Sequence, residues 1–213
     1  MLLRPILPDA VLVAEMDPRD ADPATLHSAE QAAVEGAVDK RRREHAAGRL
    51  LARALLGRLG VRPGPLLNDA AGAPLWPDGV VGSITHCATR CAVAVTNVGG
   101  SIGIDVEPAE PLPEGVALLV VSPREHAAFA ALPPALAHVA DRLVFSGKEA
   151  FYKAVYPRVR HYLDFSDVTL LLAGDSTFRV TLLRHAPPYP SGATFTGRYR
   201  VADGHLGTTV RLA

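Results

Sequence analysis

The run Gly103-Ile104-Asp105-Val106-Glu107 places two acids two residues apart among apolar neighbours. On an extended strand that spacing turns Asp105 and Glu107 to one face while Val106 turns to the core. Neighbouring carboxylates repel and raise each other's proton affinity. A divalent cation relieves that repulsion. Hard oxygen donors with few protein contacts suit Mg²⁺, which keeps waters and takes its remaining ligands from phosphates. The donor set leaves Mn²⁺ open as well. Alone, the pair reads more simply as two solvated acids at a strand end before Pro108.

A second group lies in Phe145-Ser146-Gly147-Lys148-Glu149-Ala150-Phe151-Tyr152-Lys153. On a helix Glu149 and Lys153 are one turn apart and share a face. Lys148 stands about 100° round the helix from Glu149. The ordinary reading of Glu149 and Lys153 is a surface ion pair worth a few tenths of a kcal/mol. A third group is Gly82-Ser83-Ile84-Thr85-His86-Cys87, where Ser, Thr and His at a strand end can hydrogen-bond a phosphate. A lone His86 is otherwise a satisfied structural histidine. Cys87 and Cys91 form one Cys-x-x-x-Cys pair with no second cluster, which does not make a zinc site or a disulfide framework.

These groups need elements to carry them. Val11 to Glu15 reads as a short strand. Ser28 to Leu59 reads as helix without proline, with Gly36 and Gly48 able to divide it and Leu51, Leu55 and Leu59 marking an apolar stripe. Gly60 and Pro63 supply its stop, and Pro63 to Pro77 is a loop. Val80–Thr85, Ala92–Thr96 and Ser101–Val106 read as strands, with turn chemistry at Asn97–Gly100 between the last two. Pro108, Pro111 and Pro113 make a stiff break. Pro123–Leu132 and Ala137–Val155 read as helices, the second closed by Pro157. Val168–Leu172, Phe178–Leu183, Thr194–Val201 and Thr208–Leu212 read as strands. Each half is then helix plus antiparallel strands, an α+β plan rather than alternating βαβ units. No internal sequence repeat stands out.

A composition of 48% hydrophobic and 21% charged residues is that of a globular chain, and 213 residues suffice for one domain or two small halves. Equal numbers of basic and acidic residues, 22 each, argue against a dedicated nucleic-acid binder. Yet Lys40, Arg41, Arg42, Arg43, Arg49, Arg53, Arg58 and Arg62 crowd one stretch, which suits a phosphorylated ligand. Neither a signal-peptide core nor a membrane-spanning apolar run is legible, so a cytoplasmic protein without a membrane partner is expected.

Taken together and in order, Ser83-Ile84-Thr85-His86-Cys87, Gly103-Ile104-Asp105-Val106-Glu107 and Phe145-x-x-Lys148-Glu149-Ala150-x-x-Lys153 resemble the 4′-phosphopantetheinyl transferases. The resemblance is to their longer, pseudodimeric type and within it to the enterobactin synthetase component D-like group. Pro74-Leu75-Trp76-Pro77 and the Arg41–Arg53 helix look like the same group, and the likeness spans roughly residues 30 to 165.

The resemblance implies two similar α/β-sandwich-like halves about a pseudo-twofold axis. Residues 1–107 would be the half with a coenzyme A-binding arginine helix, and residues 108–213 the half with the Lys-Glu-x-x-x-Lys helix. It implies that Asp105, Glu107 and Glu149 bind magnesium, that Lys148 and Lys153 contact phosphates, and that Arg41, Arg49, Thr85 and His86 hold the nucleotide end of coenzyme A. Glu149 would be the general base, and Lys153 would steady the transferring charge. The co-substrate would be coenzyme A, the partner an acyl, polyketide or peptidyl carrier protein, and the enzyme a monomer. Related members often carry a base in the loop that here reads Asn68-Asp69-Ala70-Ala71-Gly72, with none. A carrier-facing rim is expected to include Arg158, Arg160 and Leu163. Two other readings use the same acids or the same pocket: a magnesium-dependent nucleotide pyrophosphate hydrolase, and a non-catalytic module that binds coenzyme A or a carrier.

Overall fold

The computed structural model describes residues 1–62 and 64–213; Pro63, expected to help stop the first helix, lies outside the described residues. In chain order the regular elements are β1 (Leu12–Met16), α1 (Ser28–Gln31), α2 (Asp39–Arg58), β2 (Val81–His86), β3 (Cys91–Thr96) and β4 (Ser101–Pro108). Then come α3 (Glu114–Val120), α4 (Pro123–Ala128), α5 (Pro134–Ala137), α6 (Ala140–Val159), β5 (Val168–Leu172), β6 (Thr177–Leu182), β7 (Thr194–Ala202) and β8 (His205–Leu212).

Two compact units result. The first holds Met1 and Pro8–Gly100, the second Leu2–Leu7 and Ser101–Ala213. In the first, an antiparallel sheet of order β1-β3-β2 is covered by α2. Ala52, Leu55 and Leu56 of the helix bury against Val80, Val93 and Val95. The second is a five-stranded antiparallel sheet, β4-β8-β7-β6-β5, with α6 laid on one face. Leu143, Val144, Phe151 and Val155 of α6 share a core with Leu170, Phe178, Val180 and Val210. Each unit is therefore helix on antiparallel sheet, the expected α+β plan. No helix among the described residues is long and apolar enough to cross a membrane.

Several expectations change. The helix read from Ser28 to Leu59 is broken, because Gly36 adopts φ +73° and α2 starts only at Asp39; Gly48 stays inside α2. Asn97–Gly100 is not a hairpin turn between partners, since β3 and β4 belong to different sheets. The units divide there, not at Pro108: β4 pairs with β8 without a break from Ser101 through Pro108. Pro157 does not close α6, which runs on to Val159 and ends where Arg160 turns left-handed at φ 54°. A proline two residues from a helix end removes a single N–H, and the buried stripe Phe151, Val155 and Val159 holds the last turn in place.

Candidate functional site

In the second unit, α6 lies on β4 in a simple register. Four helical residues rise about 6 Å and two strand residues about 6.8 Å, so helix steps of four match strand steps of two. Ser101 Oγ donates to the Ala154 carbonyl at 2.7 Å. Gly103 lies under Ala150. Thr208, the register partner of Asp105, shares a 2.8 Å hydrogen bond with Ser146 through the two hydroxyls. Arg142 donates to Glu107 Oε2 at 2.9 Å. Gly103, Asp105 and Glu107 thus form the strand face that meets the helix.

On the adjoining stripe of α6 stand Glu149 and Lys153. The Lys153 side chain runs back toward the helix N-terminus, as long helical side chains do. Its ammonium donates to Asp105 Oδ1 at 2.7 Å and to the Ile104 carbonyl at 3.2 Å. Burial pushes the Glu107 carboxyl up to about 7; the Asp105 charge adds to that rise and the Arg142 hydrogen bond opposes it. Glu149 is raised by burial, with Lys153 lowering it and Asp105 raising it. Glu107 and Glu149 thereby each feel the charges of Asp105 and Lys153.

Among the described residues no three His, Cys, Asp or Glu side chains are gathered into a group that could hold an ion. The donor chemistry nonetheless fits a hard cation. The three side chains offer oxygen alone, and burial holds Glu107 and Glu149 above the ordinary carboxylate range, with the Asp105 charge adding to the rise of each, Lys153 opposing it in both and Arg142 opposing it in Glu107.

Lys148 departs from expectation. It is fully buried, and its ammonium donates to the Val120 carbonyl at 2.8 Å, the Phe165 carbonyl at 3.0 Å and the Glu125 carboxylate at 2.9 Å. An ammonium has three protons to donate. All three are engaged inside the unit, so Lys148 is not a phosphate contact. Leu163, expected on a rim, is likewise buried in the core. Arg158 bonds the Tyr189 hydroxyl at 3.0 Å, and Arg160 lies 5.8 Å over the Tyr156 ring.

In the first unit Arg41 Nη1 lies 2.8 Å from His86 Nε2. A guanidinium only donates. Nε2 is therefore the acceptor and the ring proton sits on Nδ1, 3.5 Å from Glu44 Oε2. Glu44 is also 3.8 Å from Arg41 and 3.9 Å from Lys40. Thr85 does not join this group. Strand alternation sends it, with Ser83, to the face opposite His86, where it is buried. Arg49 is buried too; Nε donates to the Leu66 carbonyl at 3.2 Å and Nη2 to Asn68 Oδ1 at 2.6 Å. The loop without a base of its own thus receives the Arg49 guanidinium, whose pKa burial lowers to about 10. Arg43 and Arg53 are committed elsewhere, to Asp39 and Glu30. Cys87 and Cys91 are free thiols, and burial pushes Cys91 up to about 12.

Two family models match this chain. One, described as the 4′-phosphopantetheinyl transferase N-terminal domain, covers residues 29–96, and the other, the 4′-phosphopantetheinyl transferase superfamily, covers residues 101–202. The 4′-phosphopantetheinyl transferase Npt of Nocardia iowensis is 37% identical over the whole of both chains. The chain belongs to the 4′-phosphopantetheinyl transferase superfamily. It is a transferase, and the gap between the two matched segments ends where its units divide, between Gly100 and Ser101. The transferase Svp of Streptomyces mobaraensis is 44% identical over 90% of this chain and 81% of its own. PptT of Mycobacterium tuberculosis is 38% identical over 82% of this chain and 81% of its own.

Three neighbours of the candidate residues escaped the sequence reading: Arg142 on Glu107 in the second unit, and Glu44 under His86 and His45 in the first. Arg142 was legible, standing seven residues before Glu149 and hence on the same helical face. His45 lies midway on the four-step stripe Arg41, His45, Arg49. It is buried, its Nε2 has no hydrogen-bond partner, and burial together with the charges of Arg49 and Arg41 lowers its pKa to about 4.

Proposed function

We propose that this transferase moves the 4′-phosphopantetheine arm of coenzyme A onto a serine of an apo carrier protein, using Asp105, Glu107, Glu149 and Lys153 of its second unit. The observation that carries this assignment is the Lys153 ammonium, held 2.7 Å from Asp105 beside two carboxylates of raised proton affinity. Phosphoryl transfer asks an enzyme mainly for positioning and charge neutralisation. Asp105, Glu107 and Glu149 are the residues assigned to hold a divalent cation, Mg²⁺ or Mn²⁺. Bound there, such an ion supplies neutralisation of the pyrophosphate charge.

The residues of the chain account for the rest. Burial raises the proton affinity of Glu149, which suits a general base that takes the serine proton directly or through a water. Lys153 turns from Asp105 to the phosphate and meets the charge that develops on the departing side. Arg41 and His86 are assigned to the 3′-phosphate of coenzyme A, Arg41 as the permanent cation. Arg49 lends its charge to the Leu66–Asn68 loop. The carrier proteins are of acyl, polyketide or peptidyl type, and the working enzyme is a monomer in the cytoplasm.

Intact mass of an apo carrier protein, after incubation with the enzyme, coenzyme A and MgCl₂, tests the assignment. The expected result is a gain of one phosphopantetheine, abolished by EDTA and by Glu149→Ala. Release of 3′,5′-ADP without any acceptor would favour a hydrolase instead. Coenzyme A binding with no transfer to several unrelated carriers would leave only a binding module.

A further inference from the structure

We infer that both units are built on one repeated device, a buried glutamate clamp, and that Lys148 belongs to it as a positioning residue. In the first unit the carboxylate of Glu30 accepts the His27 N–H at 3.0 Å and the Leu66 N–H at 2.9 Å. Arg53 Nη1 donates to the same carboxylate at 2.8 Å, and Arg53 Nη2 donates to the Thr25 carbonyl at 2.9 Å. In the second unit the carboxylate of Glu125 accepts the Ser122 N–H at 2.7 Å and the Leu170 N–H at 2.6 Å. Lys148 Nζ donates to it at 2.9 Å and to the Val120 carbonyl at 2.8 Å.

The match is in spacing as well as in kind. Each glutamate closes a capping box at the start of a short helix, accepting the N–H three residues before it. Its cation stands 23 residues after it on the long helix, Arg53 on α2 and Lys148 on α6. That cation also takes the carbonyl five residues before the glutamate, Thr25 or Val120. The chain returning after the long helix supplies the remaining N–H, from Leu66 or Leu170. The two glutamates are 1% and 0% exposed. A carboxylate is tolerated at that depth only when paired and hydrogen-bonded.

Each clamp therefore ties three segments together: the short helix, the long helix and the chain beyond it. In the first unit it locates Leu66, whose carbonyl accepts from Arg49 Nε. In the second it fixes the rotation of α6 at Lys148. Glu149, the next residue, is turned by about 100° toward β4 as a consequence. Loosening the clamp lets Glu149 drift from Asp105, while no phosphate contact is lost. The catalytic consequence rests on the assignment of Glu149 made above; the clamp does not.

The test uses the full chain with Lys148→Met, Glu125→Gln, Arg53→Met and Arg53→Lys, followed by thermal melting and by kinetics against coenzyme A. Lys148→Met and Glu125→Gln should each lower Tm by roughly 6–20 °C, as expected for breaking a buried pair in a chain of this size. Both should lower kcat and leave the KM for coenzyme A within about twofold, because the lost contact is internal. Arg53→Lys should keep most of the stability that Arg53→Met loses, since lysine fills that place in the second unit. If Lys148→Met does not fold, Lys148→Met/Glu125→Gln, which removes both charges together and keeps an acceptor for the Leu170 N–H, should restore a folded enzyme with an unchanged KM for coenzyme A. A KM raised tenfold or more at unchanged Tm in Lys148→Met, or an unchanged Tm in Glu125→Gln, would overturn the clamp. A fully active Glu149→Gln would instead overturn the assignment of Glu149 and leave the clamp standing.

Discussion

Gly103 and Ala150 meet backbone to backbone: a Cβ on Gly103 would fall 1.8 Å from the Ala150 carbonyl oxygen and 2.7 Å from the Ala154 nitrogen. The glycine lets α6 settle directly on β4, close enough for Lys153 to reach Asp105 and for Arg142 to reach Glu107. The first residue of the Gly-Ile-Asp-Val-Glu run thus brings strand and helix together by being absent as a side chain.

Gly103→Ala should accordingly be severe. The atoms it meets are backbone, so no rotamer change relieves the clash, and the strand must part from the helix. Overpacking of this kind costs about 3 kcal/mol or more, which corresponds to a fall in Tm of roughly 6–12 °C. Transfer activity should fall with it, because Asp105 and Glu149 separate. Thermal melting of the variant checks this; an unchanged Tm would show that the helix stands off the strand in solution.

The parts legible in the sequence were those set by short-range periodicity. Alternation in Gly103–Glu107 and the four-residue spacing of Glu149 and Lys153 place these side chains on the strand and helix faces where the structure has them, because strand and helix geometry decide that locally. What escaped depends on partners distant in sequence. Nothing near Lys148 announces that Glu125 waits 23 residues earlier. The clamp repeat was hidden because its members keep their role and spacing while changing type, His27 for Ser122 and Arg53 for Lys148. Asn97–Gly100 misled for the same reason: turn chemistry fixes a bend and leaves open which sheet the chain joins next. Thr85 and His86, adjacent in the motif, were separated by the same alternation that united Asp105 and Glu107.

Arg142→Met should move the acid limb of the pH–rate profile upward. The guanidinium hydrogen bond and charge draw down the pKa of Glu107, which burial and Asp105 hold up at about 7. Without Arg142 the carboxyl keeps its proton to higher pH, and the fraction of enzyme with Glu107 ionised at neutral pH falls. The variant also strips donors from the Glu110 and Pro111 carbonyls. Profiles of kcat/KM for wild type and variant between about pH 6 and 9 decide the matter; superimposable limbs would show that Arg142 does not govern Glu107.

His45 gives the fold a pH dependence of its own. Its pKa is about 4 in the folded chain against an ordinary 6.5, through burial and the nearby charges of Arg49 and Arg41, with Glu30 opposing. Between those values the unfolded chain binds a proton here that the folded chain does not, so stability falls as pH drops through that window and is whole above it. At about pH 5 the loss should be on the order of 2 kcal/mol, or a Tm lower by roughly 4–8 °C than at neutral pH. His45→Leu, which keeps the side chain apolar and of similar size, should flatten that part of the curve. Melting both proteins across the range is sufficient.

Lys153→Met separates the counter-ion role that the geometry gives this ammonium from the phosphate role proposed for it. Nearly a third of the side chain is exposed, and its partners Asp105 and Ile104 remain held by the β4–β8 ladder. The fold should survive with a Tm change of only a few degrees. The reaction should not: losing one preorganised positive group at a developing charge costs about 10²–10³ in kcat. The KM for coenzyme A should rise by much less, because the interaction strengthens as charge moves onto the departing bisphosphate. Single-turnover transfer to an apo carrier, measured at saturating coenzyme A and Mg²⁺, isolates that step. A variant that retains wild-type single-turnover rate would remove Lys153 from the chemistry and leave it as a simple counter-ion to Asp105.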